Sequence, residues 1–112
     1  IDILESVGKN LDQNHSSLHS PGRSGATPDT GIIKVPNSST EIHIYKANWS
    51  ASEIKFYVDD VLFYTFQNSD KFPFNKNFYL IVNLAMGGVW GGDVDPNFTS
   101  STFEIDYIRV YN

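Results

Sequence analysis

The stretch Ile54-Lys55-Phe56-Tyr57-Val58-Asp59-Asp60-Val61-Leu62-Phe63-Tyr64-Thr65-Phe66 decides the fold class. Ile54, Phe56 and Val58 alternate with Lys55 and Tyr57, the period of two expected of a strand with one buried face. A second apolar and aromatic run follows at 61–66, and only Asp59-Asp60 stands between them. Two residues is the length of a tight hairpin turn, although Asp-Gly would be the stronger signal. Upstream, Ile42-His43-Ile44-Tyr45-Lys46-Ala47-Asn48-Trp49 reads as the preceding strand. Downstream, residues 78–85 are apolar on both faces apart from Asn83, as a central strand covered on both sides would be. Residues 103–111 read as a last strand. No segment carries a sustained helical period and none repeats. The sequence predicts an all-β chain of sandwich type.

Residues 6–40 have a different texture, rich in Gly, Ser, Pro, Asn and Thr (Ser20-Pro21-Gly22, Ser24-Gly25-Ala26, Pro36-Asn37-Ser38-Ser39-Thr40). They predict long loops with two short strands, and long irregular connections in a domain are usually functional. At 112 residues the chain holds at most one domain. Eight Phe, six Tyr and two Trp are more aromatic surface than a core of this size usually demands. A net charge of −5 with no Lys/Arg cluster argues against a nucleic-acid partner. The chain has no cysteine, hence no disulfide framework or thiolate chemistry, and no apolar run long enough for a membrane-spanning helix.

Ile1-Asp2-Ile3-Leu4-Glu5 sets two carboxylates in an apolar, strand-like run. Burying an ionised carboxylate is costly unless it is paired. In a flat strand Asp2 and Glu5 would point to opposite faces, because the side-chain period is two. A one-residue bulge would bring them onto one face, and bulges are common beside active sites. The same acids would also fit a solvated strand end. Gly87-Gly88-Val89-Trp90-Gly91-Gly92 is too glycine-rich to be explained by packing, and no Gly-Lys-Ser/Thr follows to make it a phosphate cradle.

Seven ordered blocks carry a resemblance over nearly the whole chain. They are Ile1-Asp2-Ile3-Leu4-Glu5, Leu18-His19-Ser20-Pro21-Gly22-Arg23-Ser24-Gly25, Ile42-His43-Ile44-Tyr45 to Trp49, and Phe56-Tyr57-Val58-Asp59. Phe78 to Gly88, Trp90-Gly91-Gly92 and Ile105-Asp106-Tyr107-Ile108-Arg109-Val110-Tyr111 follow. Together they resemble the C-terminal half of glycoside hydrolase family 16, most closely its laminarinase (endo-β-1,3-glucanase) branch. The resemblance implies a jelly-roll β-sandwich of the concanavalin A-like lectin/glucanase type. Residues 1–112 would be an incomplete domain, the C-terminal half of one catalytic domain entered within the catalytic strand.

The family motif is Glu-x-Asp-x-x-Glu. By that match Glu5 is the general acid/base and Asp2 the assisting carboxylate, and the nucleophilic Glu is expected just before Ile1. A retaining glycosidase needs its two carboxyls roughly 5–5.5 Å apart, one to form the glycosyl-enzyme and one to protonate the leaving oxygen. Clustered acids are expected to keep one proton shared among them. His19 matches a cleft histidine that bonds substrate, although Ser20 and Arg23 replace the Gly and Tyr common in that block. His43 resembles the family histidine that supports the catalytic carboxylates. His15 has only a loop position and reads as structural. Trp49 and Trp90 are candidates for stacking on pyranose rings, with Asn83 meeting edge hydroxyls. Asp106 resembles the aspartate that binds a structural calcium in the family, and no cofactor is expected for the chemistry.

The implied activity is retaining endo-hydrolysis of β-1,3-glucan (laminarin) or mixed-linkage β-glucan. The competing readings are a non-catalytic β-glucan-binding relative and a hydrolase of agar- or carrageenan-type galactans. Retention of Asp2 and Glu5 favours the enzyme, and the acidic balance favours a neutral glucan over a sulfated galactan. The expected partner is the polysaccharide alone, with no nucleic acid and no membrane. The complete protein is expected to be a monomer, extracellular, periplasmic or on the cell surface.

Overall fold

The computed structural model describes residues 1–112, Ile1 to Asn112. They divide into two units, Ile1–Tyr79 and Leu80–Asn112.

The first unit is a sandwich of two antiparallel three-stranded sheets. One sheet joins β1 (Asp2–Glu5), β2 (Gln13–Leu18) and β3 (Asp29–Lys34) in that order. The other joins β4 (Tyr45–Trp49), β5 (Glu53–Val58) and β6 (Val61–Gln67). β1 lies against β4 and β3 against β6. Between the sheets Leu18, Ile54, Phe56, Phe66 and Phe74 form the buried core, with Ile1, Ala47, Phe63, Tyr64 and Phe72 packed around it. Phe66 meets Phe72 and Phe74 edge-on at 4.9 and 5.6 Å between ring centroids, a favoured aromatic geometry. Much of the aromatic excess is therefore core: five of the eight Phe residues belong to this cluster.

The hairpin forms as its residues dictate. Val58 pairs with Val61, so Asp59 and Asp60 are the whole loop. Their φ angles of 49° and 65° are both left-handed. That is the twist a two-residue turn needs between right-twisted strands, and Asp tolerates it better than most residues. The strand predicted at 42–49 begins later, at Tyr45. The Asp59 carboxylate accepts from the Ile44 amide at 2.9 Å, and the Asp59 amide donates to the Ile44 carbonyl at 3.0 Å. His43 therefore precedes the strand and does not lie on it. Both strands expected within 6–40 are present, as β2 and β3.

In the second unit the expected strands do not form. Residues 80–112 contain no strand, and only a single helical turn at Gly88–Gly91. The segments at 78–85 and 103–111 find no ladder partner among these residues. A strand apolar on both faces needs a hydrogen-bonding neighbour on each edge, and without one its side chains stay exposed. Ile81 and Val110 are 70% and 84% exposed. The helical turn appears where the sequence shows no helix start. It is flanked by Gly87 and Gly92 with φ of 73° and 87°, backbone that L side chains rarely adopt.

Gly31 sets how closely β3 approaches β6. A Cβ built at this position would fall inside the Tyr64 side chain. In the complete protein Gly31→Ala should therefore cost ~1–3 kcal/mol of folding stability, the usual penalty of overpacking. Urea unfolding of variant and wild type checks this, and equal midpoints with equal slopes would contradict it.

Candidate active site

A register shift builds the site. Asp2 pairs with Ser17 and Glu5 with His15, so three steps along β1 match two along β2. Ile3 and Leu4 thus stand opposite the single residue Ser16. This is the bulge the sequence anticipated, and it turns Asp2 and Glu5 to one face. A bulge takes backbone groups out of the ladder, and those groups must be bonded elsewhere if buried. The Ser16 hydroxyl donates to the Ile3 carbonyl at 2.7 Å, and Ser16 is fully buried.

On the outer face of this sheet the carboxylates acquire partners. His19 Nε2 lies 2.9 Å from Asp2 Oδ2, each side chain 37% exposed. The Ser17 hydroxyl donates to Glu5 Oε2 at 2.7 Å and lies 3.1 Å from Thr30 Oγ1 on β3. Asn14, Ser16 and Leu18 alternate with these residues and face the other way, inward and buried. The result is a half-open patch with two carboxylates and two hydroxyls on three adjacent strands, and one imidazole on the residue that follows β2. It can give and take protons with a ligand lying across the face.

The remaining predicted residues are placed differently. His43 sits at the β5–β6 turn, its Nδ1–H donating to Asp59 Oδ2 at 2.6 Å, while Nε2 is buried without a partner. Trp49 ends β4, in the other sheet, with Phe78 edge-on at 5.2 Å between centroids. Asn83, Trp90 and Asp106 belong to the second unit, and Trp90 lies in its helical turn. The structure thus joins Asp2, Glu5 and His19, and holds His43 and Trp49 elsewhere in the first unit. No three His, Asp or Glu side chains are grouped so as to hold a metal ion. The side chains present do not by themselves fit a calcium cage at Asp106.

Ser17, Ser16 and Thr30 were not singled out from the sequence, and His15, read there as a structural loop residue, lies within β2 opposite Glu5. The signal for them is positional: once Asp2 and Glu5 are set against β2 with one bulge, alternation selects Ser17 and His15. Sequence alone does not give that register.

The family model for glycosyl hydrolases family 16 matches residues 1–109. This chain belongs to glycosyl hydrolases family 16. It is 39% identical to a beta-glucanase of Rhodothermus marinus over 99% of its own length and 43% of the relative's. It is 32% identical to glucan endo-1,3-beta-glucosidase A1 of Niallia circulans, covering 99% of the chain and 19% of that protein. Among solved family structures, the laminarinase from Flavobacterium sp. UMI-01 superposes with a TM-score of 0.77 at 37% identity. That match covers 83% of this chain and 43% of the laminarinase. The chain therefore spans less than half the length of these family 16 relatives.

Two outcomes follow from the bonds described. Ser16→Ala removes the buried hydroxyl that bonds the Ile3 carbonyl, which should cost ~1–3 kcal/mol in the complete protein. Thermal and urea unfolding read this directly, and an unchanged stability would show that the bulge holds without the hydroxyl. At the turn, the His43 imidazole and then the Ile44 amide hold the Asp59 carboxyl below its ordinary value. A carboxyl depressed in the folded state stabilises above its unfolded value and loses that contribution as pH falls through its folded one. Asp59→Asn should flatten the acid side of the stability–pH curve. An acid limb as steep as wild type would remove Asp59 from the linkage.

Proposed function

We propose that residues 1–112 are the C-terminal half of a catalytic domain whose complete form is a retaining endo-glycosidase of β-1,3-glucan, laminarin or mixed-linkage β-glucan. The observation that carries this reading is the bulge that sets Asp2 and Glu5 on one face, with His19 on Asp2 and Ser17 on Glu5. The relatives support it, being named as a beta-glucanase, a glucan endo-1,3-beta-glucosidase and a laminarinase.

The roles follow from the chemistry. Glu5 gives its proton to the departing glycosidic oxygen while the nucleophile forms the glycosyl-enzyme, then takes a proton from the attacking water. By the period of two, a residue immediately before Ile1 shares the face of Asp2, where the family motif has the nucleophilic glutamate. Asp2 stands between the two, oriented by His19. His19, Asn83, Trp49 and Trp90 are assigned to substrate contact, whereas His43 is held at the β5–β6 turn by Asp59 and is not assigned to the carboxylates. The substrate is an extended polysaccharide, so the proposed setting is extracellular, periplasmic or cell-surface, with a monomeric enzyme.

Glu5→Gln in the complete enzyme keeps the shape and removes the transferable proton. Laminarin hydrolysis should fall by ~10²–10⁴-fold, the usual share of general acid/base catalysis. Near-normal hydrolysis by this variant would remove Glu5 from the mechanism and with it the assignment.

A further inference from the structure

Thr30, Ser17 and Glu5 place three oxygen functions in a line across three adjacent strands. Ser17 Oγ is 2.7 Å from Glu5 Oε2 and 3.1 Å from Thr30 Oγ1. Proton count gives the line a direction. A serine hydroxyl has one proton and two lone pairs, and a carboxylate only accepts. With the Ser17 proton committed to Oε2, the bond to Thr30 must use the Thr30 proton, donated onto Ser17. Ser17 is 3% exposed, so bulk water does not compete for its hydroxyl. Successive hydroxyls oriented one way polarise each other and strengthen the last bond, here the one to Glu5.

A general acid has one proton and two oxygens on which to carry it. Only a proton on the oxygen facing the glycosidic bond can be transferred. Oε2 already accepts from Ser17, so one of its two lone pairs is taken and its affinity for a proton is lowered relative to Oε1. A proton there would make Oε2 a poorer acceptor and weaken the bond from Ser17, and with it the ordered pair that Ser17 makes with Thr30. Oε1 carries no such obstacle.

We infer that Ser17, backed by Thr30, is a positioning residue that reserves Oε2 of Glu5 as an acceptor and directs the transferable proton to Oε1. The inference rests on the assignment of Glu5 as acid/base. During glycosylation the Oε1–H bond breaks and the proton moves to the departing oxygen, which keeps the electron pair of the broken C–O bond. During deglycosylation Oε1 takes a proton from water. Ser17 retains its own proton throughout, so it is not itself a catalytic residue.

The test uses the complete enzyme and two substrates, laminarin and a 2,4-dinitrophenyl β-laminaribioside. Dinitrophenolate leaves without protonation, whereas the sugar alcohol of laminarin does not. Ser17→Ala should lower kcat/KM on laminarin by ~10–100-fold, the size of one hydrogen bond to a charged group, and leave the aryl glycoside near wild type. Ser17→Thr, which keeps the hydroxyl, should recover most of that loss. Thr30→Val should show the same selectivity with a smaller loss, and it carries the comparison if Ser17→Ala does not fold. Equal losses on both substrates would mean a structural role and overturn the inference, as would unchanged laminarin hydrolysis. A wild-type enzyme inactive on both substrates would instead defeat the glucanase reading, and this inference with it.

Discussion

The hydrogen bond from Ser16 to the Ile3 carbonyl holds the rest of the site in place. A regular β1 would send Asp2 and Glu5 to opposite faces, one of them into the space between the sheets. There it would meet the apolar packing of Leu18, Ile54 and Phe56, where an unpaired carboxylate is strongly disfavoured. Inserting one extra residue opposite Ser16 avoids this, and sets the Ile3 carbonyl within reach of the Ser16 side chain. A fully buried hydroxyl directly across the strand satisfies it. From that one bond follow the shared face of the two acids and the reach of His19 to Asp2 and of Ser17 to Glu5.

β2 is consequently an unusual strand, because its inward face is polar over most of its length. Asn14 and Ser16 are as buried as Leu18. The apolar core is displaced toward the Leu18 end, where Phe56, Phe66 and Phe74 fill the space. At the other end Tyr45 reaches across from β4 to Asn14, and burial, with the Asp59 charge adding to it, raises the Tyr45 phenol above its ordinary value. The apolar packing at Leu18 thus lies between Ser17 and His19, the two residues that bond the carboxylates, while Asn14 and Ser16 make the rest of the inward face polar.

The edges tell a different part of the story. β1, β3, β4 and β6 each have one side without a strand neighbour. Exposed apolar side chains accumulate in residues 80–112, among them Ile81, Leu84, Ile108 and Val110. Open edges and apolar surface together are what further strands would cover. In the reading proposed above, those strands belong to the other half of the catalytic domain. The exposed runs at 78–85 and 103–111 are then strands written in sequence whose partners lie outside these residues.

What the sequence determined by itself was local. Alternation at 54–58 and an apolar and aromatic run at 61–66, with two turn-forming residues between, required the β5–β6 hairpin, because strand pattern and turn length are properties of neighbouring residues. The paired acids at Asp2 and Glu5 required a bulge if both were to serve one face, and β1 has it. The order of motifs named the family before any strand was paired. Tertiary structure decided everything that depends on register. Only the offset of β1 against β2 shows that Ser17 meets Glu5, that His15 faces it, and that Ser16 supports the bulge. Only the turn geometry reveals that His43 is bonded to Asp59. The segments 78–85 and 103–111 mark the limit from the other side: their side-chain patterns are strand-like, yet a strand exists only when a neighbour takes up its backbone hydrogen bonds. Side-chain pattern is carried in the chain, whereas pairing is a relation between chain segments distant in sequence.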